Sequence, residues 1–223
     1  MFCYPCERLC ENCKEELVRN DGLTCPKCGR KTLSNGVCLT CKSTMPKFTQ
    51  AFSPFVYRGL PAKLINRLKN GNRRLAYLLG EETATYFLEK KTADLSGEPL
   101  LILPIPLTDE RRIVRGYNQA EELAKVIAEK LNEGGMYATN DFETLIKRRE
   151  TSAQKHLSRK DRAENITGAY HLHKRKFCQG KTIVLVDDIL TTGATGSECA
   201  KLLLNAGAKA VYLLTVASAP ENK

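Results

Sequence analysis

Apolar residues along this chain fall into two alternating patterns. Unbroken runs of strand length occur at "FSPFVYRG" (52–59), where a strand enters a turn, and at "PLLILPIPL" (99–107), "TIVLVDD" (182–188) and "AVYLLTVAS" (210–218). Between them the spacing changes to three and four residues, the helical period. Tyr57, Leu60, Leu64, Ile65 and Leu68 share one such face, and Leu75, Leu78 and Leu79 open a helix that continues through "EETATYFLEKK". "NQAEELAKVIAEKL" (118–131) and "GATGSECAKLLLNAGA" (193–208) predict two more, and a short strand is expected at 142–146. Apolar strands alternating with helices of about a dozen residues form βαβ units, whose parallel sheet is covered on both faces. The predicted class is therefore α/β, a doubly wound, mostly parallel sheet, with ligands gathering outside the C-terminal strand ends.

The first 45 residues break this pattern. Four C-x-x-C pairs stand there: Cys3/Cys6, Cys10/Cys13, Cys25/Cys28 and Cys38/Cys41. Two cysteines three apart can aim both sulfurs at one ion, and two such knuckles complete a tetrahedral thiolate site. "CPKCGR" followed by "CLTC" has zinc-ribbon form, with Gly29 free to take a positive φ. The pairs either act in sequence, one and two on one ion, three and four on another, or interleave; we favour two sequential structural zinc sites. A disulfide or redox scaffold is the competing reading. So small a segment buries little, so the metal would supply its folding free energy. Cys178 and Cys199 stand apart, and Cys199 beside Leu202 and Leu203 reads as a buried, inert thiol.

Composition narrows the setting. A chain of 223 residues, 42% hydrophobic and 27% charged, can bury one substantial core and is neither fibrous nor disordered. Its 35 basic against 25 acidic residues give a formal charge of +10, which favours anionic partners. The N-terminus lacks a signal-peptide pattern, and no apolar run reaches the roughly 18 residues that span a bilayer. Membrane insertion is not expected, and the setting is expected to be cytoplasmic, where thiols stay reduced.

The chemistry concentrates in "TIVLVDDILTTGATGS" (182–197). A buried strand delivers Asp187 and Asp188 to the ligand edge, and a loop of threonines and glycines turns into a helix. Such a loop offers backbone amides, hydroxyls and the positive end of a helix to an anion. Two carboxylates beside it accept hydrogen bonds from hydroxyls, so a ribose 5-phosphate satisfies both halves. Adjacent strand residues face opposite ways, so both acids can reach one sugar only if the chain is already curling out of the strand. A P-loop ATPase reading fails: Arg175 stands where its first glycine should be, and Lys181–Thr182 precede a strand instead of opening a helix.

"VLVDDILTTGAT" (184–195) resembles the phosphoribosyl pyrophosphate (PRPP) signature of type I phosphoribosyltransferases. The whole chain is similar to the ComF family of competence-associated proteins, which join a double zinc ribbon to such a domain. The likeness extends through the cysteine pairs, "NRLKNGNRRLA", "LPIPLTDERRIVRGYNQ" and "KRRETSAQKHLSRKDRAENITGAY". It implies a type I phosphoribosyltransferase fold over 46–223, with a hood over about 147–176, preceded by a small double zinc ribbon over 1–45. It places Asp187 and Asp188 on the ribose hydroxyls, and Thr191, Thr192, Gly193, Ala194 and Thr195 on the 5-phosphate. The pyrophosphate loop should follow "LILPIP"; the chain departs from better-known enzymes there with Pro106 and Leu107, which leaves Arg112, Arg115, Asn118 and Gln119 as the pyrophosphate-side candidates. Mg²⁺ would bridge ribose and diphosphate oxygens. No catalytic nucleophile or base stands out, and none is required of the protein if the acceptor carries its own.

The expected hood is cationic and poor in aromatics. Arg148, Arg149, Lys155 and Arg159 are the candidates for phosphates of single-stranded DNA, joined by Lys160 and Arg162, with a solvated flap as the structural alternative. His156, His171 and His173 lack metal-ligand spacing. The resemblance implies a part in natural competence, handling incoming single-stranded DNA at the inner face of the membrane beside a helicase-like partner, with or without phosphoribosyl transfer. The alternative is an active phosphoribosyltransferase of nucleotide metabolism or salvage with no DNA role.

Overall fold

The long apolar runs become neighbours in one sheet in the computed structural model, which describes residues 9–33, 35–90, 95, 97–148 and 166–220. The first run gives two short strands, β1 (Gln50–Phe52) and β2 (Phe55–Val56), and the helical stretch after it gives α3 (Gly59–Lys69) and α4 (Leu75–Lys90). Two single-turn helices, α1 (Glu11–Glu15) and α2 (Leu39–Ser43), precede them. There follow β3 (Pro99–Pro104), α5 (Asp109–Arg115), α6 (Gln119–Glu133), β4 (Tyr137–Asn140), β5 (Leu145–Lys147), β6 (Tyr170–Leu172), β7 (Thr182–Leu190), α7 (Ala194–Asn205) and β8 (Ala210–Ser218). Strand order in the main sheet is β1-β8-β7-β3-β4, with β2 also on β8, and each of these pairings is parallel.

Side-chain alternation along β7 sorts the core into two layers. Val184 and Val186 face α3, α4 and α6, where Leu64, Leu79, Phe87 and Leu123 are fully enclosed. Ile183 and Leu185 face α7, through Cys199 and Leu203, and the cysteine-rich segment. Each fully buried Leu or Phe contributes about 1.5–3 kcal/mol. Helix ends are set locally: Asn118 Oδ1 accepts the Ala120 amide at 3.0 Å to start α6, with Glu121 and Glu122 in its first turn, and Gly116 at φ +75° ends α5.

The strand expected at 142–146 lies elsewhere. The sheet strand after α6 is β4, an edge strand of which only Ala138 is buried, so its sequence carries no apolar run. Leu145–Lys147 instead pairs antiparallel with β6, outside the main sheet, and of this pair β6 and Lys147 fall within the 147–176 expected for the hood. The cysteine-rich segment is packed against the sheet. Asn20 Nδ2 donates to the Ser53 and Phe55 carbonyls and to Ser218 Oγ at 2.8–2.9 Å, and Cys25, Cys28, Cys38 and Cys41 share a core with Phe48, Ala51 and Leu213.

Candidate functional site

The crossover from β3 through α6 to β4 and that from β7 through α7 to β8 step in opposite directions, which opens a crevice between β3 and β7 at their C-terminal ends. Pairing of these strands stops at Pro104 with Val186, closed by the Ile105 amide on the Val186 carbonyl at 2.8 Å. Asp187 and Asp188 come next. The chain has not left the sheet there, because β7 stays paired with β8 as far as Leu190 with Ser218. The acids therefore divide between the faces: Asp187 lies on the side of Cys199 and Tyr170, while Asp188 meets Lys69 at the end of α3 (Nζ to Oδ2, 3.1 Å). The Asp188 amide, past the end of β3, is satisfied by Asp187 Oδ1 at 2.8 Å.

Beyond the acids, residues 191–196 wrap a small pocket of about 30 Å³, lined also by Asp187, Leu213 and Thr215. Gly193 at φ +79° makes the turn into α7. Ala194 N–H is taken by Thr192 Oγ1 at 3.3 Å and Ser197 N–H by the Gly193 carbonyl at 2.8 Å. Among the described residues, the amides of Thr192, Gly193, Thr195 and Gly196 meet no protein acceptor, so the first turn of α7 presents a set of unused donors beside the pocket. A Cβ at Gly196 would come within 2.7 Å of Leu213 Cδ2, which keeps that wall glycine-thin.

Burial, and then the neighbouring Asp188 charge, pushes the Asp187 carboxyl up to about 7; Lys69 and Lys147 oppose the shift. The phenol of Tyr170 is also raised, by burial first and by Cys199 and Asp187 next, against the charge of Arg111. Lys69 and Tyr170 thus belong to the site although sequence reasoning passed over both. Lys69 sits in the basic stretch "RLKNGNRR", a visible signal; nothing local marked Tyr170.

On the pyrophosphate side the four candidates occupy different settings. Asn118 and Gln119 are buried, and Asn118 spends its side chain on the Ala120 amide and, through Nδ2, on the Ile105 carbonyl at 3.1 Å. That ties the loop after β3 to the start of α6. Arg112 makes a two-pronged pair with Glu121, both contacts 3.0 Å, while Arg115 is half-buried at the end of α5. Arg73 joins this group, donating to the Gly116 carbonyl at 2.7 Å and stacking over Tyr117. Arg148 is exposed at the end of β5. Arg149, Lys155 and Arg159 lie outside the described residues, as do Lys160, Arg162 and His156.

Cys25, Cys28, Cys38 and Cys41 are buried, with their sulfurs all within 4.8 Å of one another. Cys28 and Cys38 sulfurs are 3.6 Å apart, close to the separation of two thiolates about 2.3 Å from a shared zinc ion. Amides of Cys38 and Cys41 point at Cys25 Sγ and Cys38 Sγ (3.4 and 3.5 Å), the support a thiolate site needs. The donor set fits zinc, with pairs three and four in sequence. Cys10 and Cys13 are half-buried, and Cys3 and Cys6 lie outside the described residues. Cys199 is fully buried and its thiol lies well above the usual range because burial disfavours the thiolate. No helix among the described residues is long and apolar enough to cross a membrane.

Comparison with known proteins bears on this architecture. The phosphoribosyl transferase domain model matches residues 114–223. The chain is 31% identical over 207 residues to the DNA utilization protein YhgH of Escherichia coli K12, covering 92% of this chain and 88% of that protein. It is 26% identical over 211 residues to competence protein ComFC of Bacillus subtilis 168 (91% and 80% covered), and 35% identical over 124 residues to competence protein F of Haemophilus influenzae Rd (54% and 51%). Among solved structures, a hypoxanthine phosphoribosyltransferase from Staphylococcus aureus aligns with 63% of this chain and 61% of its own at a TM-score of 0.38 and 17% identity.

Proposed function

This chain belongs to the ComF family of phosphoribosyltransferase-domain proteins, and from that premise we propose that it is a competence-related protein whose crevice between β3 and β7 binds PRPP. The observation that carries the reading is the pair of acids at the crevice followed at once by the unused amides of α7. Asp187 and Asp188 accept from the ribose 2- and 3-hydroxyls in this reading, which requires the end of β7 to turn away from β8 on binding, because the two side chains leave opposite faces of the strand while it stays paired there. Thr191, Thr192, Gly193, Ala194 and Thr195 take the 5-phosphate. Arg112 and Arg115 offset diphosphate charge, and Asn118 and Gln119 fix the loop that carries it. The two carboxylates are hard oxygen donors that suit Mg²⁺, which would offset the diphosphate charge of the bound ligand. Residues 1–45 form the zinc module, with Cys3, Cys6, Cys10 and Cys13 as a second site, and 46–223 form the phosphoribosyltransferase-like domain.

Calorimetry with PRPP and Mg²⁺ tests this. Wild type should bind, and Asp187→Ala/Asp188→Ala should weaken binding by about a hundredfold or more, since two charge-assisted acceptors are removed. Equal binding by the variant, or none by wild type, defeats the reading. Turnover of PRPP with a free nucleobase would move the protein to nucleotide metabolism.

A second activity, binding of single-stranded DNA beside a helicase-like partner at the inner membrane face, is supported by the +10 charge and by relatives named for DNA utilization and competence. Arg148, Arg149, Lys155 and Arg159 are the phosphate contacts in this reading. Arg148→Ala/Arg149→Ala should make binding to an oligodeoxynucleotide less salt-dependent, the log–log slope falling by roughly 0.7 for each phosphate no longer neutralised. An unchanged slope removes the hood from DNA binding.

A further inference from the structure

Arg30, two residues past Cys28, is only 3% exposed. One terminal nitrogen donates to the Thr191 carbonyl in the phosphate loop, and the other reaches Thr40 Oγ1, between Cys38 and Cys41, at 3.5 Å. Its Nε has no partner, and among the described residues no carboxylate comes within ion-pair distance. A guanidinium withdrawn from water without a counter-charge is costly. Here it reaches the turn between Cys38 and Cys41, which sets it against the buried cysteine cluster. Arg30 thus stands between the cysteine cluster and the phosphate loop, and it touches both.

Two further contacts join the same parts. The Phe48 ring, fully buried, packs against Gly193, 3.6 Å from where a Cβ would stand, and the Lys47 amide donates to Ser197 Oγ in the first turn of α7 at 3.0 Å. Across a planar trans peptide, carbonyl and N–H point in opposite directions. Holding the Thr191 carbonyl toward the cysteine-rich segment therefore turns the Thr192 N–H away from it, and that N–H is one of the unused donors.

We infer that Arg30 is a positioning residue that couples the thiolate metal site to the sugar-phosphate pocket. Zinc occupancy orders the turn at 191–193, and an anionic ligand held by that turn slows zinc loss in return, because coupling between two sites is reciprocal. The ligand half of this statement rests on the proposed binding of PRPP; the ordering of the turn does not.

The test uses the full zinc-loaded chain as wild type, Arg30→Met and Arg30→Lys. Exchange of the Ala194 and Ser197 amides, the two that the turn itself bonds, should be roughly tenfold faster in Arg30→Met, with residues 183–186 unchanged and Arg30→Lys between the two. PRPP affinity should fall roughly five- to fiftyfold in Arg30→Met. Saturating PRPP with Mg²⁺ should slow zinc transfer to a colorimetric chelator in wild type and not in Arg30→Met. Amide exchange equal in the two proteins, or zinc transfer slowed equally in both, overturns the inference. A wild type that binds no PRPP overturns the proposed function alone, and the exchange measurement still decides the role of Arg30. If Arg30→Met does not fold, Arg30→Lys and Thr40→Val, which removes the hydroxyl that Arg30 reaches, carry the same comparisons.

Discussion

Asp187→Asn should make the unliganded protein more stable. Asp187 is held where ionisation is opposed by burial and by Asp188, so its carboxyl rises from an ordinary 3.8 to about 7. The folded state therefore binds this proton more tightly than the unfolded chain, and wild-type stability falls as pH rises from about 4 to about 7. At 1.36 kcal/mol per pH unit the ceiling on the penalty is about 4 kcal/mol at pH 8, and about 2 kcal/mol at pH 5 where the group is mostly protonated when folded. Asparagine is uncharged, matches the shape and keeps an oxygen for the Asp188 amide now bound at 2.8 Å. Urea unfolding of both proteins at pH 5 and pH 8 checks this: the variant should gain about 2–4 kcal/mol at pH 8, shrinking by about half or more at pH 5. A variant no more stable than wild type at pH 8, or a gain that does not shrink toward pH 5, refutes the reasoning. The variant should also lose PRPP affinity, which is why a protein that binds a sugar tolerates the acid.

Two glycines should respond oppositely to alanine. Gly29 has φ +65° and its Cβ would overlap the Ala51 backbone carbonyl, so Gly29→Ala should cost about 1–3 kcal/mol from the backbone alone and speed zinc transfer to a chelator. Gly196 has ordinary helical geometry and its Cβ would meet only the movable end of Leu213, so Gly196→Ala should stay within about 1 kcal/mol by urea unfolding while narrowing the pocket. Equal losses in the two variants would contradict this contrast.

The parts of the site legible in the sequence are those built by contiguous residues. A dry strand, two acids, a threonine–glycine turn and a helix follow one another over 182–205, and the fold preserves that order. The same is true of the third and fourth cysteine pairs, whose turns bring sulfurs together within 17 residues of chain. Local pattern gave out where a residue's task is set by packing. Asn118 and Arg112 look alike in sequence as polar groups beside a basic helix, yet the αL turn at Gly116 folds α5 back on α6, so Arg112 meets Glu121 and Asn118 becomes a cap. β4 escaped notice because an edge strand needs only one buried residue. Lys69, Tyr170 and Arg30 reach the acids and the loop from α3, from β6 and from the zinc knuckle, and no spacing rule encodes such distances. Asp187 and Asp188 obey strand alternation and face apart, so one of them is neutralised by Lys69 and the other is left in a buried, proton-holding setting. That asymmetry follows from sheet geometry acting on two identical side chains, and it assigns them unequal parts: burial and the Asp188 charge hold a proton on Asp187 up to about pH 7, and the ionised carboxylate is the stronger acceptor, so affinity for the sugar should climb as pH passes about 7.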